Sequence, residues 1–235
     1  MKLRPSSLWS FMACPFKYKY SVFDWNPKDL YFGSLLHAAA RWLDVAVLFE
    51  DYIRQLNPDL RVKKKFESLL KLAKEEYLDN KDYIVLDETE LLCIEEFWDK
   101  QVDFWGTPDR VLYKDWKYFV DDFKTSSSFA WYENENMREI QAQPFLYSYM
   151  FMKIYKIKDI TFRFIVFSKS NWLKRIFEKQ YTFKEVEQEK NKLIEKYLEA
   201  ESSGQWDAKS NPYCFFCPLK EWFCPINNQN QDEIF

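Results

Sequence analysis

The chain has 235 residues, 47% of them apolar and 20% aromatic, with a formal net charge of −3. That length suits one domain with a well-filled core, and the weak negative charge excludes a broadly basic face, so any nucleic-acid surface has to be local. No apolar run reaches the roughly 18 residues of a membrane span, and no G-x-x-x-x-G-K-[ST] is present, which excludes P-loop chemistry.

Taken from the N-terminus, Pro5 to Tyr20 opens as a short helix that Ser6 or Ser7 could cap, with Leu8, Phe11 and Met12 at helical spacing and a break at Cys14-Pro15. Lys17 and Lys19 alternate with aromatic residues, a pattern that suits a nucleic-acid backbone or a solvated basic face. Gly33 to Phe49 is Ala-rich and nearly continuously apolar, which predicts a buried helix carrying His37, the only histidine. A lone imidazole on an apolar helix is, without further context, more often a core residue than a ligand. Asp59 to Leu78 is an amphipathic, Lys-rich helix whose Lys63-Lys64-Lys65 run reads as a solvated face. Tyr83 to Trp105 reads as strands (YIVL, ELLCIEEFW, QVDFW), with Cys93 as a core thiol.

The central stretch is Gly106 to Thr125. Asp109–Tyr113 and Trp116–Val120 read as two strands joined by a tight turn, the second running on into Asp121-Asp-Phe-Lys124. Side chains two apart share a face of a strand, so Asp122 and Lys124 point one way and Asp121 and Phe123 the other. A carboxylate and an ammonium on one face, with Asp109 on the neighbouring strand, make a candidate hydrolytic site. The carboxylates suit a hard divalent cation, and the lysine can position a water or offset charge growing on a phosphoryl group.

Beyond it, Asn134 to Tyr155 is a helix that places Gln143 and Tyr147 on one face. Asp159–Lys169 and Leu173–Thr182 read as a hairpin, and Phe183 to Glu201 as a charged amphipathic helix. Gly204 to Pro225 is irregular, and residues 226–235 form a polar tail. The irregular segment holds Cys214, Cys217 and Cys224, a C-x2-C-x6-C pattern that needs a fourth ligand. Cys14, followed by proline as Cys217 and Cys224 are, fits better than the strand residue Cys93. Such a set holds zinc or an iron–sulfur cluster, and spacing alone does not separate them. Either centre would tie the first helix to the last segment.

Together these residues resemble the RecB-like branch of the PD-(D/E)XK nucleases, in particular its four-cysteine members: CRISPR-associated RecB-like exonucleases, AddB-type nucleases and phage exonucleases. S-x-L-x-x-F-x-x-C-P-x-x-Y matches Ser6 to Tyr18, G-x-x-x-H matches Gly33 to His37, and G-x-x-D matches Gly106 to Asp109. D-x-K-T matches Asp122 to Thr125, and Q-x-x-x-Y matches Gln143 to Tyr147. Each motif is weak alone; their order along nearly the whole chain makes the resemblance specific. Arg41 departs from it, since many relatives carry an acid four residues after the histidine.

The resemblance implies an α/β, restriction-endonuclease-like domain over residues 1–225, with a central mixed sheet flanked by helices. Residues 1–30 and 204–225 would form the cluster region. It also implies that His37, Asp109, Asp122 and the Phe123 carbonyl ligate Mn2+ or Mg2+. Lys124 would orient the attacking water or stabilise the pentacovalent phosphorus, and Gln143 and Tyr147 would brace the site or touch DNA. Cys14, Cys214, Cys217 and Cys224 would hold a [4Fe-4S] cluster, and Lys17, Lys19 and Tyr147 would contact DNA. The expected function is a metal-dependent DNA exonuclease on single-stranded ends, 5′ to 3′ favoured. Its setting would be CRISPR-type spacer processing or phage recombination and DNA degradation, in the cytoplasm (the host's, if viral). Homo-oligomers or recombination and CRISPR-adaptation partner proteins are compatible with this; a membrane is not expected. The competing readings are an iron–sulfur DNA-end-binding adaptor with a vestigial nuclease site, and a zinc-stabilised protein with surface carboxylates.

Overall fold

The structure is a computed structural model that describes residues 1–20, 27–41, 49–51, 53–54, 58–134, 141–211, 214, 217, 219 and 224–226; of residues 27–31 only the backbone is described. A five-stranded sheet lies at its centre. Its strands are β2 (Ile84–Asp87), β5 (Arg110–Lys114), β6 (Lys117–Ser126), β7 (Asp159–Ser168) and β8 (Lys174–Thr182), in the order β2-β5-β6-β7-β8. Only β6 and β7 run parallel, so the sheet is mixed, as expected. The connection between them is long enough to include a helix, as a parallel crossover requires.

The remaining strands form a separate three-stranded sheet, β1-β4-β3, built from β1 (Lys2–Leu3), β3 (Leu91–Phe97) and β4 (Lys100–Gly106). The strands read between Tyr83 and Trp105 are thus divided between two sheets. A two-residue N-terminal strand pairs in parallel with β4 and brings the start of the chain beside Gly106.

One residue later than strands ending at Tyr113 and resuming at Trp116 imply, the hairpin β5–β6 turns at Asp115-Trp116. Both residues have φ near +50° to +60°, the left-handed geometry of a two-residue hairpin turn whose twist matches the strands. The register pairs Arg110 with Asp121 and Val111 with Val120.

The period-two reading of β6 holds. Phe123 joins Ile165 and Phe167 in a core formed with α3 (Pro27–Ala40) and α4 (Leu60–Leu78). Val120, Phe162, Phe164 and Val166 belong to the opposite core, shared with α6 (Ala142–Tyr155) and α7 (Phe183–Ser203). Helices therefore cover both faces, burying apolar side chains that each contribute roughly 1.5–3 kcal/mol.

Three helix boundaries differ from the reading. Helix α1 (Pro5–Ala13) has Pro5 in its first turn and Arg4 as an N-cap without a side-chain bond, so neither Ser6 nor Ser7 caps it. Proline there lacks only an N–H that the first turn leaves unbonded anyway. The chain continues into α2 (Pro15–Tyr20) after the break at Cys14. Helix α3 begins at Pro27, ahead of Gly33, and residues 42–48 of the expected helix lie outside the described residues. Helix α6 begins at Ala142, preceded by the short α5 (Ala130–Glu133), with residues 135–140 outside the described residues. The ends of α4 and α7 follow their caps: Asp59 accepts from Val62 N, and Thr182 with Glu185 forms a capping box.

Two buried polar networks lock these layers together. On the α4 side, Arg110 donates to Asp121 (2.5 and 2.8 Å) and to Glu76 (2.9 Å), and Arg163 donates to the same Asp121 (2.7 and 2.9 Å). On the α6–α7 side, Lys190 donates to Glu95 (2.7 Å) and Tyr149 (3.2 Å), and Lys153 reaches Glu95 at 2.9 Å. Cys93, expected as a core thiol, is buried at the edge of this second network, where burial and Glu95 push its pKa up to about 11. That keeps it a protonated core thiol rather than a metal ligand.

Candidate active site

The front of the hairpin opens into a cleft of about 590 Å³ whose lining includes His37, Asp109, Asp122, Phe123, Lys124, Gln143 and Tyr147. Every catalytic and metal residue expected from the sequence outside the cysteine set therefore meets there. The elements that bring them are distinct. Asp109 sits just before β5, Asp122 to Lys124 lie on β6, and Gln143 and Tyr147 face the cleft one turn apart on α6. Helix α3 supplies His37 from the other face of the sheet; its ring reaches over to the β6 backbone.

The geometry is tightly coupled. His37 Nε2 is 3.0 Å from the Phe123 carbonyl oxygen, and Nδ1 is 3.5 Å from Asp109 Oδ1. The Phe123 N–H donates to Asp109 Oδ2 at 2.5 Å. Lys124 Nζ stands 2.6 Å from Asp122 Oδ2, and the Gln143 amide donates to Asp122 Oδ1 at 3.3 Å. Although Oδ2 touches the ammonium, it has no aligned hydrogen-bond donor and is buried.

Burial raises the Asp122 carboxyl to about 6; Lys124 opposes that shift and Asp109 adds to it. Asp109 is held below its ordinary value because His37, Lys124 and the Phe123 N–H together outweigh its burial. Burial disfavours the charged forms of His37 and Lys124. The carboxylates around them prevail, and both pKa values stand above the ordinary ones. Lys124 is consequently an ammonium at neutral pH. Tyr147 is pushed up to about 12 by burial and Asp122, so it stays a neutral phenol.

The donor set fits a divalent cation. Imidazole, carboxylate and carbonyl donors suit such an ion; among the described residues His37 and Asp109 form a group of three within 4.8 Å with Glu88, and Asp122 stands outside that group. The buried Asp122 Oδ2 is a further acceptor with no aligned donor.

Sequence reasoning missed several residues here. Among the described residues, one group of three potential ligands lies within 4.8 Å of one another, and it is His37, Asp109 and Glu88. Glu88 borders the cleft through His37 and Asp109, and Trp9 from α1 and Trp131 from α5 line it. No periodic pattern marks any of them. Gly106 has a packing role. A Cβ there would stand 2.9 Å from the Tyr147 ring and 3.1 Å from Pro5, so its absence lets α1 and Tyr147 close on the cleft floor. Gly33 has no such constraint, its nearest neighbour being 4.0 Å away.

Lys17 and Lys19 are not part of the cleft lining. Lys17 lies over the Trp9 ring and Lys19 over Trp206. The four cysteines expected as a set do converge: Cys14, Cys214, Cys217 and Cys224 line one cavity of about 190 Å³ between α1, α2 and the C-terminal segment. Backbone N–H groups of Lys17 and Lys209 point at Cys14 Sγ (3.5 and 3.4 Å), and that of Asn211 at Cys214 Sγ (3.3 Å). Asn211 also ties the segment to the Ala13 carbonyl at 2.8 Å.

Comparison with known proteins agrees with this architecture. The profile described as PD-(D/E)XK nuclease superfamily matches residues 2–225. A crystal structure described as a "Putative exonuclease" from Eubacterium rectale superposes with a TM-score of 0.57 at 14% identity, covering 97% of this chain and 88% of that one. At that identity the likeness is one of fold. The crystal structure of SSO0001 aligns over 96% of this chain and 86% of its own, with a TM-score of 0.49 and 13% identity. No curated protein matches the chain. The profile spans nearly the whole chain and the central mixed sheet is restriction-endonuclease-like, so this protein belongs to the PD-(D/E)XK nuclease superfamily.

Proposed function

We propose that this protein is a metal-dependent deoxyribonuclease of the RecB-like, iron–sulfur branch, an exonuclease that hydrolyses single-stranded DNA from its ends. The observation that carries the reading is the meeting of His37, Asp109, Asp122 and Lys124, drawn from three separate segments, in one cleft. The Eubacterium rectale fold relative is described as a "Putative exonuclease".

His37, Asp109, Asp122 and the Phe123 carbonyl would hold Mn2+ or Mg2+, imidazole favouring the softer Mn2+. When bound, the ion supplies Lewis acidity, activating a water and neutralising charge on the phosphoryl oxygens. Lys124, kept protonated, orients that water or offsets the charge that grows on phosphorus. The Gln143 amide fixes the Asp122 carboxylate through Oδ1. The Tyr147 phenol, neutral in this setting, would brace the site or contact the DNA. Because Asp122 and His37 must both shed protons to hold a cation, and both pKa values are raised, protons compete with the metal and cleavage at limiting metal falls as pH is lowered.

The test is digestion of labelled single strands with Mn2+ or Mg2+ across pH 5 to 8. Free-ended strands should be degraded and covalently closed circles spared. Circles cut as fast as linear strands refute an exonuclease, and inertness towards every DNA with either metal refutes the nuclease reading.

The cysteine pocket supports a metal centre. Cys14, Cys214, Cys217 and Cys224 line one cavity, and four thiols suit either a cluster or a zinc ion. Protein purified without oxygen should be brown and contain about four irons per chain; colourless protein with one zinc would replace the cluster by zinc. Trimming for CRISPR-type spacer capture or phage recombination is the setting the sequence resemblance favours.

A further inference from the structure

Glu88 stands where no motif places a functional residue. It follows β2 and adopts φ 39°, a left-handed conformation that L residues rarely keep without a compensating interaction. Its N–H donates to the Asp109 carbonyl at 3.1 Å, tying its backbone to that of a cleft carboxylate. Its own carboxylate is gripped by Arg41, with Nη1 at 2.6 Å from Oε2, while Arg41 Nε donates to Asp87 at 3.0 Å. Arg41 lies four residues beyond His37, about one helical turn farther along. Histidine and arginine from one segment thus face Asp109 and Glu88, whose backbones are bonded to each other.

Asp87 and Glu88 share Arg41, and Asp109 and Asp122 lie beside Lys124 and His37, so carboxylates outnumber the fixed cations around this group of ligands. Asp122 Oδ2 has the Lys124 ammonium at 2.6 Å, so it is His37, Asp109 and Glu88, which each offer a ligand atom within 4.8 Å of the others, that point to a cation. A ligating imidazole has to be neutral in any case.

We propose that Glu88 is a third side-chain ligand, with His37 and Asp109, to the divalent cation of this cleft, and that Arg41 positions its carboxylate. The assignment rests on reading the cleft as a metal site and is independent of which nucleic acid is cut. Arg41 grips one oxygen of Glu88 and leaves the other for the ion. That hold limits the freedom a surface carboxylate would lose on ligation.

The test is a Mn2+ titration of the full chain, with its cysteine site as isolated, following free Mn2+ by electron paramagnetic resonance. Glu88→Gln keeps size and polarity but removes the charge. It should raise the Mn2+ Kd at least tenfold, with cleavage recovered at higher Mn2+ and the unfolding midpoint unchanged. Glu88→Asp should fall between the two. Lys124→Ala should bind Mn2+ at least as tightly as the unaltered protein while losing cleavage. A Glu88→Gln Kd within twofold of the unaltered value overturns the assignment, as does an unaltered protein that takes up no Mn2+. A protein that binds Mn2+ through Glu88 yet cuts no DNA overturns the nuclease reading and leaves this one standing.

Discussion

Replacement of Lys124 by alanine is expected to lower kcat for metal-dependent DNA cleavage by about 10²–10⁴-fold, with little change in KM. The reason is local. Lys124 is the cation 2.6 Å from Asp122, and the two cleft carboxylates keep it protonated. An ammonium aimed at the reacting phosphate stabilises charge that appears only in the transition state, so its removal acts on kcat. Lys124→Arg should recover part of the charge but not the geometry, because the planar guanidinium cannot take the place of a compact point charge. A Lys124→Ala protein that digests single strands at the unaltered rate would remove this lysine from the chemistry.

The second large effect concerns stability. Asp121→Ala is expected to destabilise the protein by about 3–5 kcal/mol, because it leaves Arg110 and Arg163 buried without their shared counter-charge. Arg110 is 1% exposed, Asp121 is fully buried, and Arg110 Nη1 already lacks a partner, so no water can replace the lost carboxylate cheaply. For a domain of this size the melting temperature should fall by roughly 6–20 °C. Replacing Arg110, Arg163, Asp121 and Glu76 together by apolar residues of similar volume should recover much of that loss, since no arginine of the network is then left unpaired. The network also bears on the site. Arg110 follows Asp109, Asp121 precedes Asp122, and the Arg110 guanidinium lies 5.1 Å from the Phe123 ring. Loss of this brace on the back of the hairpin should therefore weaken metal binding as well. An unchanged melting curve for Asp121→Ala would show that the charges relax into solvent and hold nothing.

Some of this was already written in local pattern. Alternation along Lys117 to Ser126 separated Asp122 and Lys124 from Asp121 and Phe123, and the sheet keeps that separation. The Gln143–Tyr147 spacing put both on one helical face, and both line the cleft. These are statements about neighbours two or four residues apart, where backbone periodicity alone sets direction. The sequence by itself thus determined the faces, the starts of α4 and α7 and the set of candidate side chains. Tertiary structure alone decided the rest. It split the Tyr83 to Trp105 strands between two sheets and carried Arg110, Asp121, Arg163 and Glu76 into one buried cluster. It also turned Glu88 towards His37 and brought Trp9 and Trp131 to the cleft wall. Such contacts depend on which layers pack across tens of residues, and no local periodicity encodes that choice.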